Sequence, residues 1–113
     1  MCVTDSILNA FKDRENKVLE LIKSYNIAFT EIGVFGSYAR NDFKESSDID
    51  FCIITENRPD RRTSGSLRED AELLGADIVY VTPLYFATDD SQFAKNLRRD
   101  YRRLLWRIMI IIL

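Results

Sequence analysis

Gly36 to Ile54, GSYARNDFKESSDIDFCII, is the stretch that decides the fold. It opens on a small-residue turn, Gly36-Ser37, and ten residues later reaches Asp48-Ile49-Asp50 at the head of an apolar run. Glycine lets backbone approach a phosphate closely, and aspartates at i and i+2 of a strand present their carboxylates on one side. The two halves together describe a site for polyphosphate and divalent metal.

Working outward, Asp48 to Ile54 reads as a strand with Ile49, Phe51 and Ile53 on one face and Asp48, Asp50, Cys52 and Ile54 on the other. Ala28 to Phe35, β-branched and aromatic, reads as an earlier strand that ends at Gly36, with a short helical turn beginning at Ser37. Upstream, Ile7, Phe11, Val18, Ile22 and Tyr25 recur at helical spacing from Asp5 to Tyr25, with Thr4 or Asp5 as N-cap and an interruption around Arg14 and Glu15. Downstream, Thr55 to Gly65 reads as a mobile loop carrying Arg58, Arg61 and Arg62, charges that read first as solvated and second as reaching a nucleotide or partner. Ser66 and Glu69 form a capping-box pattern, Leu67, Ala71 and Leu74 a helical stripe, and Gly75 a stop. Ala76 to Val81 reads as a third strand. Asp89 or Asp90 would cap a helix through Phe93 and Leu97, and Arg103 to Trp106 reads as a fourth strand or as more of that helix.

For the Gly-Ser turn to lie beside the carboxylates, the first two strands must be antiparallel neighbours. A crossover helix then returns the third strand parallel to the second, bringing Asp77 to the same sheet edge. The expected class is α+β, a small mixed sheet with helices packed on it, in a single domain over residues 1–113.

Composition narrows the chemistry. The chain is 46% hydrophobic and 30% charged, with 16 Lys and Arg against 18 Asp and Glu, a formal charge of −2. No overall field gathers nucleic acid, so no direct nucleic-acid partner is expected. Lys95, Arg98, Arg99, Arg102, Arg103 and Arg107 load the last quarter with positive charge, which reads as a solvated helix face before it reads as a surface for phosphates or an acidic partner. Histidine is absent, which removes Ser-His and Cys-His pairs and leaves acid-base work to carboxylates. Two distant cysteines, Cys2 and Cys52, make no disulfide framework, and a reducing cytoplasm fits. The N-terminus lacks a secretory pattern. Ile108 to Leu113 is apolar but far short of the ~20 residues that span a bilayer, so no membrane role is expected, and it reads as a strand or a tail needing cover.

Nucleotidyl transfer needs an oxygen to attack the α-phosphorus of a nucleoside triphosphate while pyrophosphate leaves. Hard cations such as Mg²⁺ take oxygen ligands, so Asp48 and Asp50 are candidate metal bridges. Gly36, the Ser37 hydroxyl and Arg40 are the candidate nucleotide-binding residues. Tyr38, Cys52 and Ile54 read as packing.

The Gly36-Ser37 turn, the ten-residue gap and Asp48-Ile49-Asp50 resemble the signature of the polymerase-β-type nucleotidyltransferase superfamily. Within it, GSYAR followed by SSDIDF is similar to the minimal nucleotidyltransferases, small members often found as antitoxins. The resemblance is close from Ile32 to Ile54 and extends weakly to Asp77 in GADIVYV. It implies that Asp48 and Asp50 bind two Mg²⁺ ions, that Gly36 and Ser37 hold the triphosphate of ATP, and that Asp77 completes one metal site and helps deprotonate the acceptor. Where the family has glycine after Arg40 this chain has Asn41, a residue that tolerates left-handed backbone.

The chain has no room for the added helical region of larger, antibiotic-modifying members, so the acceptor is expected on another protein or on a pocket completed by a second copy. The leading expectation is an antitoxin that transfers AMP from ATP to a hydroxyl, that of a tyrosine, on a cognate HEPN-type ribonuclease toxin. The alternatives are a binding module that neutralises its partner by occlusion, and an antibiotic nucleotidyltransferase subunit paired with a helical chain.

Overall fold

The computed structural model describes residues 4–106. Cys2 and the apolar run from Ile108, on which two of the expectations rest, lie outside that range.

Helix α1, Asp5–Ser24, is capped by Thr4, whose hydroxyl accepts from the Ile7 N–H at 3.3 Å. Its buried stripe is Phe11, Glu15, Val18 and Ile22, so the apparent interruption is part of the stripe. Glu15 is buried because it accepts a hydrogen bond from the Tyr38 hydroxyl at 2.8 Å, and burial together with Glu15 pushes that hydroxyl's pKa up to about 12. Strand β1, Glu31–Phe35, is shorter than expected and leads into α2, Gly36–Arg40, a single helical turn. Asn41 closes α2 at φ 66°, the left-handed conformation its side chain tolerates.

Strand β2, Ile49–Ile54, is buried on both faces from Phe51 onward, which explains its unbroken apolar sequence. Ile49, Phe51 and Ile53 pack with Phe11, Val18 and Ile22 of α1, while Cys52 and Ile54 pack in a second cluster with Leu97. Helix α3, Arg61–Leu73, corrects the expected start at Ser66. Asp60 accepts from the Thr63 N–H at 2.8 Å and caps the helix in place of Ser66, and burial of Ser64 and Leu67 carries it past Gly65. The loop before it therefore ends at Asp60. Gly75, at φ +80°, terminates the α3 turn as expected.

After β3, Ala76–Val81, comes α4, Pro83–Thr88, which the sequence reading did not resolve; Thr82 caps it and Pro83 takes the first position, where its missing N–H costs nothing. Helix α5, Gln92–Asp100, is capped by Ser91, not by Asp89 or Asp90; Asp89 instead accepts from the Ser91 N–H at 3.0 Å. Arg102–Trp106 is strand β4, settling that alternative.

The four-stranded sheet runs β3-β2-β1-β4. β1 is antiparallel to both β2 and β4, and β3 is parallel to β2, the mixed α+β architecture expected. Tyr101 lies across the backbone of Gly33 in β1, where a Cβ would collide with its ring, and its hydroxyl donates to Glu31 at 2.7 Å. No helix among the described residues is long and apolar enough to cross a membrane.

Candidate active site

Register places the site. Phe35 of β1 pairs with Asp50 of β2, and Asp50 pairs with Asp77 of β3, so one row across three strands ends in two carboxylates. Asp48 stands one residue before β2 and is exposed, as is Asp77, while Asp50 is half-buried. Burial, then the charges of Asp77 and Asp48, push the Asp50 carboxyl up to about 6, against a smaller downward pull from Arg40. The three predicted carboxylates thus share one field.

Gly36 follows Phe35 directly and has φ +74°, a conformation that side-chain-bearing residues rarely adopt. A Cβ there would also run into Asp50 Oδ2. The small-residue turn and the second carboxylate of the motif are therefore packed against each other, which is the spatial meaning of their pairing in sequence. Among the described residues the Ser37 hydroxyl has no hydrogen-bond partner. Arg40 is turned to carboxylates: Nη1 meets Asp100 at 2.7 Å and Nε meets Asp42 at 3.1 Å, fastening α2 to the end of α5.

One residue that sequence reasoning treated as an interruption supports the site. Arg14 Nη1 donates to the Ser47 carbonyl at 3.0 Å and, at a longer 3.4 Å, to that of Gly75. Those carbonyls lie one residue before Asp48 and two before Asp77. Its guanidinium sits 4.3 Å from the centre of the Phe11 ring, which fixes its direction. The only sequence signal for it was a charge at a stripe position of α1.

A cleft of about 570 Å³ opens on the row, lined by Phe35, Asp50, Asp77, Arg68, Glu69 and Phe93 among others. Phe93, 44% exposed, meets Phe35 edge-on at 6.0 Å. Arg68 and Glu69 were missed because the pattern at Ser66 and Glu69 reads as a helix start, whereas both residues stand on the cleft side of an established helix.

The donor chemistry fits a hard divalent cation: every candidate ligand is a carboxylate, and the shared negative field on Asp50 is one that a cation would relieve. Among the described residues no three such groups stand as a closed ligand cluster. Both observations hold, because Coulomb interaction reaches further than a coordination bond.

The family model for the nucleotidyltransferase domain matches residues 10–105. No curated protein sequence matches significantly. Among solved structures, the chain is similar to one in a toxin–antitoxin crystal structure with AMP-PNP, at 21% identity over 85% of this chain and 76% of that one, TM-score 0.62. It is similar to one in a tri-AMPylated Shewanella oneidensis HEPN toxin in complex with MNT antitoxin, at 18% identity over 89% and 76%, TM-score 0.57. An inferred nucleotidyltransferase from Sulfolobus solfataricus matches at 16% identity over 96% and 94%, TM-score 0.61. At these identities the likeness is one of fold. The chain belongs to the nucleotidyltransferase domain family.

Proposed function

We propose that this nucleotidyltransferase-domain protein transfers AMP from ATP to a hydroxyl, that of a tyrosine, on a cognate HEPN-type ribonuclease toxin, and so acts as its antitoxin. The observation that carries the reading is the row Phe35, Asp50, Asp77 with Gly36 packed on Asp50. The fold shared with chains from a toxin–antitoxin structure holding AMP-PNP and from a complex with a tri-AMPylated HEPN toxin supports the nucleotide and the acceptor class.

In this reading Gly36 lets backbone approach the triphosphate and the Ser37 hydroxyl donates to it, with Arg40 adding its positive field while its pairing with Asp100 holds α2 in place. Asp48 and Asp50, with Asp77 completing the set, would hold two Mg²⁺ ions, which supply positive charge against the charge that grows on the phosphoryl oxygens. The acceptor oxygen bonds to the α-phosphorus as that phosphorus loses its bridging oxygen, and pyrophosphate departs with the electron pair. The hydroxyl proton passes to Asp77, whose exposure lets it hand the proton to water.

The test is transfer of labelled AMP from ATP to the purified toxin in Mg²⁺, with Asp50→Ala as control. Label that depends on Asp50 is expected. No label, with wild type and Asp50→Ala behaving alike, would sink the enzymatic reading, and full protection of cells by Asp48→Asn would put occlusion in its place.

A further inference from the structure

Arg58, Arg61 and Arg68 line a second cavity of about 610 Å³ together with Pro59, Ser64 and Gly65. It shares Gly65 and Arg68 with the carboxylate cleft, so the two adjoin there, with Asp50 and Asp77 on one side of the junction and Arg58 and Arg61 on the other.

All three arginines are exposed. Among the described residues none of the three takes part in an ion pair, and Arg58 does no more than stand 5.1 Å from the centre of the Tyr80 ring. Arg61 and Arg62 occupy the first turn of α3, where the helix dipole disfavours positive charge and the carboxylate next to them in sequence, that of the capping Asp60, is already engaged by the Thr63 N–H.

Gly65 is a second, independent oddity. It lies inside α3 with no atom within 4 Å of where its Cβ would be, and its φ is not positive. Neither packing nor backbone geometry requires glycine, and the residue costs a helix about 1 kcal/mol relative to alanine. A bare backbone where the two cavities adjoin suits close approach by another chain.

The position selects the occupant. Gly36 and Ser37 lie on the β1 side of the site, whereas β3 is the edge strand and Leu67 and Ala71 pack α3 on the face of Ile49, Phe51 and Ile53, so a segment running from Asp77 to the arginines crosses the β3 edge, away from the phosphate turn. A nucleic-acid strand is disfavoured by the chain's net charge of −2 and by Glu69 and Glu72 on the same cleft. Discrete acidic side chains on a peptide satisfy the arginines without running a polyanion past the carboxylates.

We propose that these adjoining cavities bind the acceptor as an acidic peptide segment, its hydroxyl residue at Asp77 and its Asp or Glu side chains on Arg58 and Arg61, with its backbone passing over Gly65. The identity of the segment as acceptor rests on the transferase reading; the preference for acidic peptide does not. Arg68 and Arg61 are separated by roughly 10 Å of helix, which an extended peptide covers in about three residues. Since Asp77 lies across the cleft from Arg68, the acidic residue should stand at least about three positions from the hydroxyl residue.

The test uses a fluorescein-labelled tyrosine peptide with glutamates about three residues from the tyrosine, its glutamine counterpart, and a single-stranded RNA of matched length. Anisotropy should show the glutamate peptide binding at least about tenfold more tightly than the glutamine one, a gap that closes with salt. Arg58→Ala with Arg61→Ala should remove that gap and leave ATP binding unchanged, and Gly65→Leu should weaken the peptide without altering charge. Equal binding of the two peptides, loss of ATP binding in the double variant, or tighter arginine-dependent binding of RNA would each overturn the proposal. Labelled AMP is followed in parallel: peptide binding without transfer would count against the transferase reading and leave the acidic-peptide site standing.

Discussion

Asp50 and Asp77 are register partners across the parallel β2–β3 ladder, and the half-buried Asp50 bears the cost of that pairing. Its carboxyl titrates near 6 in the folded chain, through burial first and the Asp77 charge second. An unfolded aspartate titrates near ~3.9, so between the two values the folded state binds more protons. The Asp50 contribution to stability therefore falls as pH rises from about 4 to about 6, and stays lowered above that. Asp50→Asn should be the more stable protein at pH 8 in EDTA, by about 1–2 kcal/mol after allowance for solvent screening, with the gap closing towards pH 4. Urea titrations across pH measure it, and equal stabilities at pH 8 would contradict it.

Gly36→Ala should destabilise the protein by about 1–3 kcal/mol, because alanine strains at φ +74° and its methyl meets Asp50 Oδ2. In an Asp50→Ala background the collision is gone and only the backbone term remains, so the cost should shrink. A double-mutant cycle with no coupling between the two sites would show that the contact is not felt.

Arg14→Ala should cost about 1–3 kcal/mol through the released Ser47 carbonyl and the lost ring contact. Stability alone does not distinguish a support for the site from a support for the fold. The Mg²⁺ concentration needed for half-maximal transfer should also rise, since the segments leading to Asp48 and Asp77 lose their common tether. Arg14→Lys, which keeps the charge but not the planar fork, should recover stability better than it recovers the metal requirement. An unchanged Mg²⁺ requirement in Arg14→Ala would restrict the residue to folding.

Cys52 should be inert. Burial first, and Glu31 second, push its thiol up to about 12, and inertness is what a packing residue in the second core cluster implies. A Cys2→Ser variant should show no thiol reactive to an aromatic disulfide reagent in the native state, and one after unfolding in denaturant. Fast native reaction would place Cys52 closer to solvent than its burial allows.

The pairing of the first three strands was legible in the sequence because so few topologies bring the Gly-Ser turn to the head of the next strand, whereas the place of β4 beside β1 was not. The alternation in β2 told which side carries the carboxylates. Helix boundaries were less legible. Ser66 with Glu69 has the letters of a capping box, but Asp60 reaches the Thr63 N–H first, and a helix once begun passes through a weak former such as Gly65 when Ser64 and Leu67 are buried. Phe93 read as one more apolar residue of a stripe, although Ala94 and Leu97 carry the burial of α5 and Phe93 turns to the cleft.

By itself the sequence determined the motif, the type of most elements and the sheet that aligns Asp50 with Asp77, because spacing and periodicity are written along one chain. Tertiary structure alone decided that Asp50 is the carboxylate withdrawn from water, that Glu15 can be buried against Tyr38, and that Arg14 reaches carbonyls 33 and 61 residues away. Those facts depend on how α1 and α3 settle against the sheet. No local pattern encodes them, since burial and hydrogen-bond partners belong to pairs of elements and not to either one.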